Sequence, residues 1–80
     1  MSNIELYNNA FIECFNIEKS QLSNLECQSI KSWNSIGHMT LITILEEVFG
    51  IMIESDDVIN FSSYKKGIEI LTKNYNIQFE

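Results

Sequence analysis

The sequence predicts an all-α fold: a small four-helix bundle with a short third helix and a long loop between helices one and two. Three observations lead there. Apolar residues recur at helical spacing in three separate stretches and nowhere alternate as in a strand. Each stretch follows a residue able to cap a helix, and no proline interrupts any of them. A chain of 80 residues can bury one modest core, so helices that each hide a single apolar stripe must share it, as one domain over residues 1–80.

The first helix is expected from Asn3 to Phe15. Ser2 and Glu5 form a capping-box pair, and Tyr7, Ala10, Phe11, Cys14 and Phe15 fall at i, i+3, i+4, i+7 and i+8. Residues 16 to 34 lack a period and are rich in Ser, Asn and Gln, which reads as a long structured loop pinned by Ile17, Leu22, Leu25 and Ile30. Such a loop in so small a domain calls for a functional or wrapping role. Ser35 is the natural N-cap of the second helix, whose buried stripe is Leu41, Ile42, Leu45, Val48 and Phe49 and whose stop is Gly50. Ser55 can cap a third helix of about two turns, with Asp56 and Asp57 complementing its dipole and Val58 and Ile59 facing inward. Ser62 or Ser63 caps the fourth, where Tyr64, Gly67, Ile68, Leu71 and Tyr75 oppose Lys65, Lys66, Glu69 and Lys73. The tail, residues 76 to 80, is expected to fray.

Charge narrows the function. All five basic residues are lysines, and none lies between Ser32 and Tyr64, so Glu46, Glu47, Glu54, Asp56 and Asp57 stand unopposed. That field repels phosphate backbones and attracts basic protein surfaces, which argues against a nucleic-acid partner. No apolar run is long enough to span a bilayer and no leader precedes the first helix, so a soluble cytoplasmic monomer is expected. Cys14 and Cys27 are too few and too unpatterned for a disulfide scaffold or a zinc site and read as free thiols, with no metal.

On a helical wheel, Ile36 and Met39 point away from the buried stripe of the second helix. They share its outer face with Thr40, Thr43, Glu46 and Glu47, an arrangement like the apolar centre and polar rim of a protein contact.

Around Ser35 the residues Trp33, Asn34-Ser35-Ile36, Gly37-His38-Met39, Leu45-Glu46-Glu47, Phe49-Gly50-Ile51 and Asp56-Asp57-Val58 form a registered pattern. With it, residues 33 to 71 resemble the acyl carrier protein family, whose attachment motif is an Asp-Ser-Leu triplet opening the second helix. The family's three longer helices, short third helix and long first loop agree with the reading above. The resemblance implies that Ser35 accepts 4'-phosphopantetheine from coenzyme A through a phosphopantetheinyl transferase. A phosphodiester there would meet the unpaired amides and positive dipole end of the helix. The arm's thiol would hold an acyl group as a thioester, for shuttling between the loading enzymes, acyltransferases or synthases of a biosynthetic pathway. The resemblance also assigns Ile36, Met39, Glu46 and Glu47, with Asp56 and Asp57, to the face that partner enzymes read.

Three departures point away from housekeeping fatty-acid synthesis and toward a specialised pathway. Asn34 replaces the usual aspartate, Thr40 stands where fatty-acid carriers often have an acid, and Asn60-Phe61-Ser62-Ser63-Tyr64 replaces a Thr-Val-Gly-Asp stretch. A peptidyl or aminoacyl carrier would use the same serine, and an unmodified four-helix interaction module would keep only the fold. Ser35 and His38 share a helix face, but no carboxylate close in sequence can orient His38, so the chain is not read as an enzyme. His38 is expected to pack near Trp33 or against the arm, and Trp33 to anchor the loop.

Overall fold

A computed structural model of the chain describes residues 2–27 and 29–79. It is all-helical, and its helices pack around one hydrophobic core. Among the described residues the only strand-like pairing is an isolated bridge between Glu26 and Ser63.

Local sequence explains most of the elements. Helix α1 spans Asn3–Phe15; the Ser2 hydroxyl accepts the Glu5 N–H, the Glu5 carboxylate returns the bond, and Asn16 closes the helix in the left-handed conformation. Helix α2 spans Ser35–Phe49 and stops at Gly50, also left-handed. Helix α3 covers Ser55–Asn60, and α4 covers Tyr64–Tyr75, where Ser63 is the cap that bonds the Lys66 N–H.

The long loop is more ordered than its polar composition implies. A 3-10 helix, Lys19–Asn24, lies inside it. Side chains three apart eclipse in that geometry, so the helix buries Leu22 and delivers Leu25, just beyond its end, to the same core. A search for the α-helical period misses such a segment. The loop is then sewn to the start of α4: Cys27 N–H donates to the Ser62 carbonyl at 2.7 Å and Tyr64 N–H to the Leu25 carbonyl at 2.9 Å.

Other expectations are corrected. Ser55 does not cap α3; the cap position is Glu54, which makes no side-chain cap bond. Ile59 does not face inward: it is 77% exposed, Val58 is half-buried, and the short helix buries none of its residues fully. The neighbouring Ile53 and Phe61 enter the core in its place. Val48 is not buried with the rest of the α2 stripe but 38% exposed, and α4 buries Ile70 beside Gly67 and Leu71. The tail does not fray over its described part. Ile77 is buried and donates its N–H to the Leu71 carbonyl, the Gln78 carbonyl accepts from the Asn3 side chain, and the Phe79 ring meets Tyr7 and Phe49.

The centre of the core is aromatic. Phe11 contacts the rings of Tyr7, Phe15, Trp33, Phe61 and Tyr64. The buried Tyr7 hydroxyl donates to the Tyr64 carbonyl, and burial pushes its pKa well above the ordinary tyrosine range, so it stays a donor. Helix α4 can approach this cluster because position 67 has no side chain: a Cβ there would run into the Tyr7 hydroxyl and the Phe61 ring. Gly67→Ala is therefore expected to destabilise the fold by about 1–3 kcal/mol despite alanine's better helix propensity, measured as a lower urea midpoint. An unchanged midpoint would mean that the contact is slack.

Candidate functional site

The start of α2 is built by its neighbours. Trp33, fully buried, stacks on Phe15 at 5.2 Å and meets Phe11 edge-on at 5.5 Å, which anchors the end of the loop. Asn34 follows as the N-cap, its side-chain oxygen accepting the Gly37 N–H at 2.9 Å. This corrects the expectation for Ser35, which is the first helical residue and not the cap. Asparagine and serine cap about equally well, but the His38 N–H three residues after Ser35 is already given to the Asn34 carbonyl at 2.8 Å, whereas the Gly37 N–H is left for the Asn34 side chain. At Gly37 a Cβ would collide with the Ser32 carbonyl and press on the Phe15 ring, so the first turn sits tight against the loop and α1.

Relieved of capping, the Ser35 side chain is exposed and makes no hydrogen bond among the described residues. Nor do the backbone amides of Ser35 and Ile36 find an acceptor there, as expected for the first turn of a helix. A group esterified to this hydroxyl would have solvent access and two unpaired N–H donors nearby.

His38 lies one turn on. The Trp33 indole N–H donates to His38 Nδ1 at 2.8 Å, with the rings nearly parallel at 17°. An indole nitrogen can only donate, so Nδ1 is bare and the proton is on Nε2, which donates to the Val58 carbonyl at 2.7 Å. Both ring nitrogens are occupied, and His38 has none to offer Ser35 as a base. Burial pushes the Cys14 thiol above the ordinary cysteine range, and its S–H donates to the Gly37 carbonyl.

Beside Ser35 opens a groove of about 300 Å³ between α2, α3 and the end of the long loop. Asn34, Ser35, His38 and Met39 form one wall, and Val58, Ile59, Phe61, Ser62 and Cys27 the other. The second wall was not legible in the sequence, because it joins segments far apart along the chain. The one local hint was an apolar residue, Ile59, in a helix too short to bury both of its aliphatics.

The outer-face residues separate into two groups. Ile36 is 80% exposed and Met39 52% exposed; Met39 and Ile59 line the groove, whereas Ile36, next to Ser35 in the chain, is not part of its lining. Glu47 and Asp56 are exposed carboxylates, whereas Glu46 and Asp57 are half-buried and hold the fold. Glu46 accepts the Ile53 N–H at 2.8 Å, closing the turn after α2. Asp57 accepts from the Tyr75 hydroxyl and the Asn74 amide, and Tyr75 also accepts the Glu54 N–H, so α3 is tied to α4. Partial burial and the bond to Asp57 push the Tyr75 hydroxyl above the ordinary range, keeping it protonated. Glu69 engages two of the lysines, Lys66 and Lys73, in exposed pairs of little energetic weight.

No helix among the described residues is long and apolar enough to cross a membrane. Comparison of the chain with protein-family models, with curated proteins and with solved structures finds no match in any of the three.

The cap assignment separates two adjacent residues. Asn34→Ala is expected to cost about 1 kcal/mol in urea unfolding, and Ser35→Ala no more than about 0.5 kcal/mol. The reverse order would return the cap to Ser35.

Proposed function

We propose that this protein is a discrete acyl carrier: a four-helix bundle that holds an acyl group on a 4'-phosphopantetheine arm attached to Ser35. The observation that carries the reading is an exposed, unbonded serine hydroxyl at the first residue of α2, at the mouth of a largely apolar groove. The sequence pattern of residues 33 to 71 is the second support. The residues fit the group: Ser35 supplies the oxygen, the first-turn amides suit a phosphodiester, and the Met39, Val58 and Ile59 walls suit the apolar portions of an arm. When bound, the arm supplies a thiol that carries an acyl group as a thioester. The chain's own part is to present the attachment oxygen, keep it clear of side-chain bonds and offer a surface to partner enzymes.

Asn34 departs from the family's aspartate, yet its Oδ1 makes the bond that a cap requires. The substitution therefore removes a charge without removing a cap. On this reading the transferase and the loading enzymes approach Ile36 and Met39 at the centre, with Glu47 and Asp56 as the freely exposed part of an acidic rim that includes Glu46 and Asp57. Opposite charge on a partner speeds encounter while each contact stays weak, as a carrier that must leave one cytoplasmic enzyme for the next requires.

Incubation with coenzyme A, magnesium and a phosphopantetheinyl transferase is expected to add one phosphopantetheine to the wild type and none to Ser35→Ala, read by intact mass. An unmodified wild type would sink the carrier reading in favour of an interaction module, and equal addition to the alanine variant would move the site. Charge reversal at Glu47 and Asp56 is expected to raise the transferase KM several-fold at low salt, roughly the effect of losing two rim charges, with the urea midpoint unchanged. A KM insensitive to both charge reversal and salt would remove these carboxylates from the contact.

A further inference from the structure

We propose that His38 is a positioning residue for the Ser35 site, acting through α3. Little within α3 itself holds that helix in place. It has six residues, buries none of them fully and lacks a side-chain N-cap bond. It also ends without a left-handed residue, since Phe61 takes φ −75° and ψ 79°. A helix this short does not persist on its own propensity, so its place depends on bonds from elsewhere.

Two tethers supply them. At the first turn, Tyr75 of α4 accepts the Glu54 N–H and donates to Asp57, with Asn74 on the same carboxylate. At the last turn, where α3 leaves carbonyls without helical partners, His38 Nε2–H donates to the Val58 carbonyl. The second tether comes from α2, three residues after Ser35. Trp33 is what makes it dependable: its N–H holds Nδ1 as the acceptor and so keeps the proton on Nε2. The imidazole is further confined between the Trp33 ring and the edge of Phe61. Val58 and Ile59 form one wall of the groove, and Ser35, His38 and Met39 form the other, so this hydrogen bond bridges the two walls beside the attachment oxygen.

The proposal rests on Ser35 being the attachment serine, and two substitutions separate the tether from that reading. His38→Asn keeps an oxygen where Nδ1 stood, so Trp33 retains its acceptor, but the side chain is too short to reach Val58. His38→Gln restores an N–H at the reach of Nε2. In His38→Asn, hydrogen exchange of the α3 amides is expected to rise about tenfold, the loss of one partly buried hydrogen bond, with α1 and α4 unchanged. Transfer of phosphopantetheine from coenzyme A to Ser35 should lose several-fold in kcat/KM, mainly through KM, and His38→Gln should recover both readouts. The proposal is overturned if α3 exchange in His38→Asn stays within about twofold of the wild type, or if α1 and α4 loosen equally, which would mark a general stability role. It is also overturned if α3 loosens while kcat/KM does not change. Absence of transfer to the wild type overturns the attachment reading, and with it the positioning role, whatever the exchange data show for the tether.

Discussion

A buried indole must give its N–H to an acceptor, and in this fold nearly everything near the end of the long loop follows from Trp33 giving it to His38. The bond chooses the imidazole tautomer, and the tautomer directs the second ring nitrogen to Val58. One donor thus links the loop, α2 and α3 in series. The same indole stacks on Phe15 and meets Phe11, so the series is rooted in α1. Between Trp33 and His38 the chain has four residues in which to begin a helix, and Ser35 is fixed in that interval.

The remaining segments are held by the same kind of non-local bond. The 3-10 helix and the loop after it contribute Leu22 and Leu25 to the core and pair with the start of α4 through two backbone hydrogen bonds. Glu46 reaches over the turn that follows α2, and Tyr75 reaches from the end of α4 to both ends of the first turn of α3. Polar side chains that composition assigns to solvent are thus working as struts. In a domain of this size the apolar core is small, and Glu46 and Tyr75 each also satisfy a backbone N–H, of Ile53 and of Glu54, that no helix provides for.

That division matters for the surface. Five carboxylates without opposing lysines give α2, α3 and the turn between them a negative field, but only part of the set is free to meet a partner. Glu46 and Asp57 still contribute charge at a distance, where the field and not the individual contact is felt. The exposed apolar side chains of the same region include Ile36, Met39 and Ile59, of which Met39 and Ile59 line the groove, and Glu47 and Asp56 are exposed carboxylates there.

The sequence alone determined the four α-helices and several of their ends, since a capping box at Ser2 and a stop at Gly50 are properties of a few neighbouring residues, while the choice of Ser63 over Ser62 as the cap of α4 came from the structure. It likewise determined that Ile36 and Met39 face outward, because a wheel needs only the helical period. Where two competent caps stood side by side, at Asn34 and Ser35, local preference could not choose between them; in the structure the His38 N–H is given to the Asn34 carbonyl and the Gly37 N–H to the Asn34 side chain, so Asn34 is the cap. The 3-10 helix Lys19–Asn24, the docking of the tail, the exposure of Ile59 and the far wall of the groove were likewise decided only by the tertiary structure. Each depends on partners tens of residues distant, as Leu25 does on Tyr64, Asn3 on Gln78 and His38 on Val58. Sequence periodicity reports which side of a helix is apolar. Only packing reports which polar atom is close enough to hold it in place.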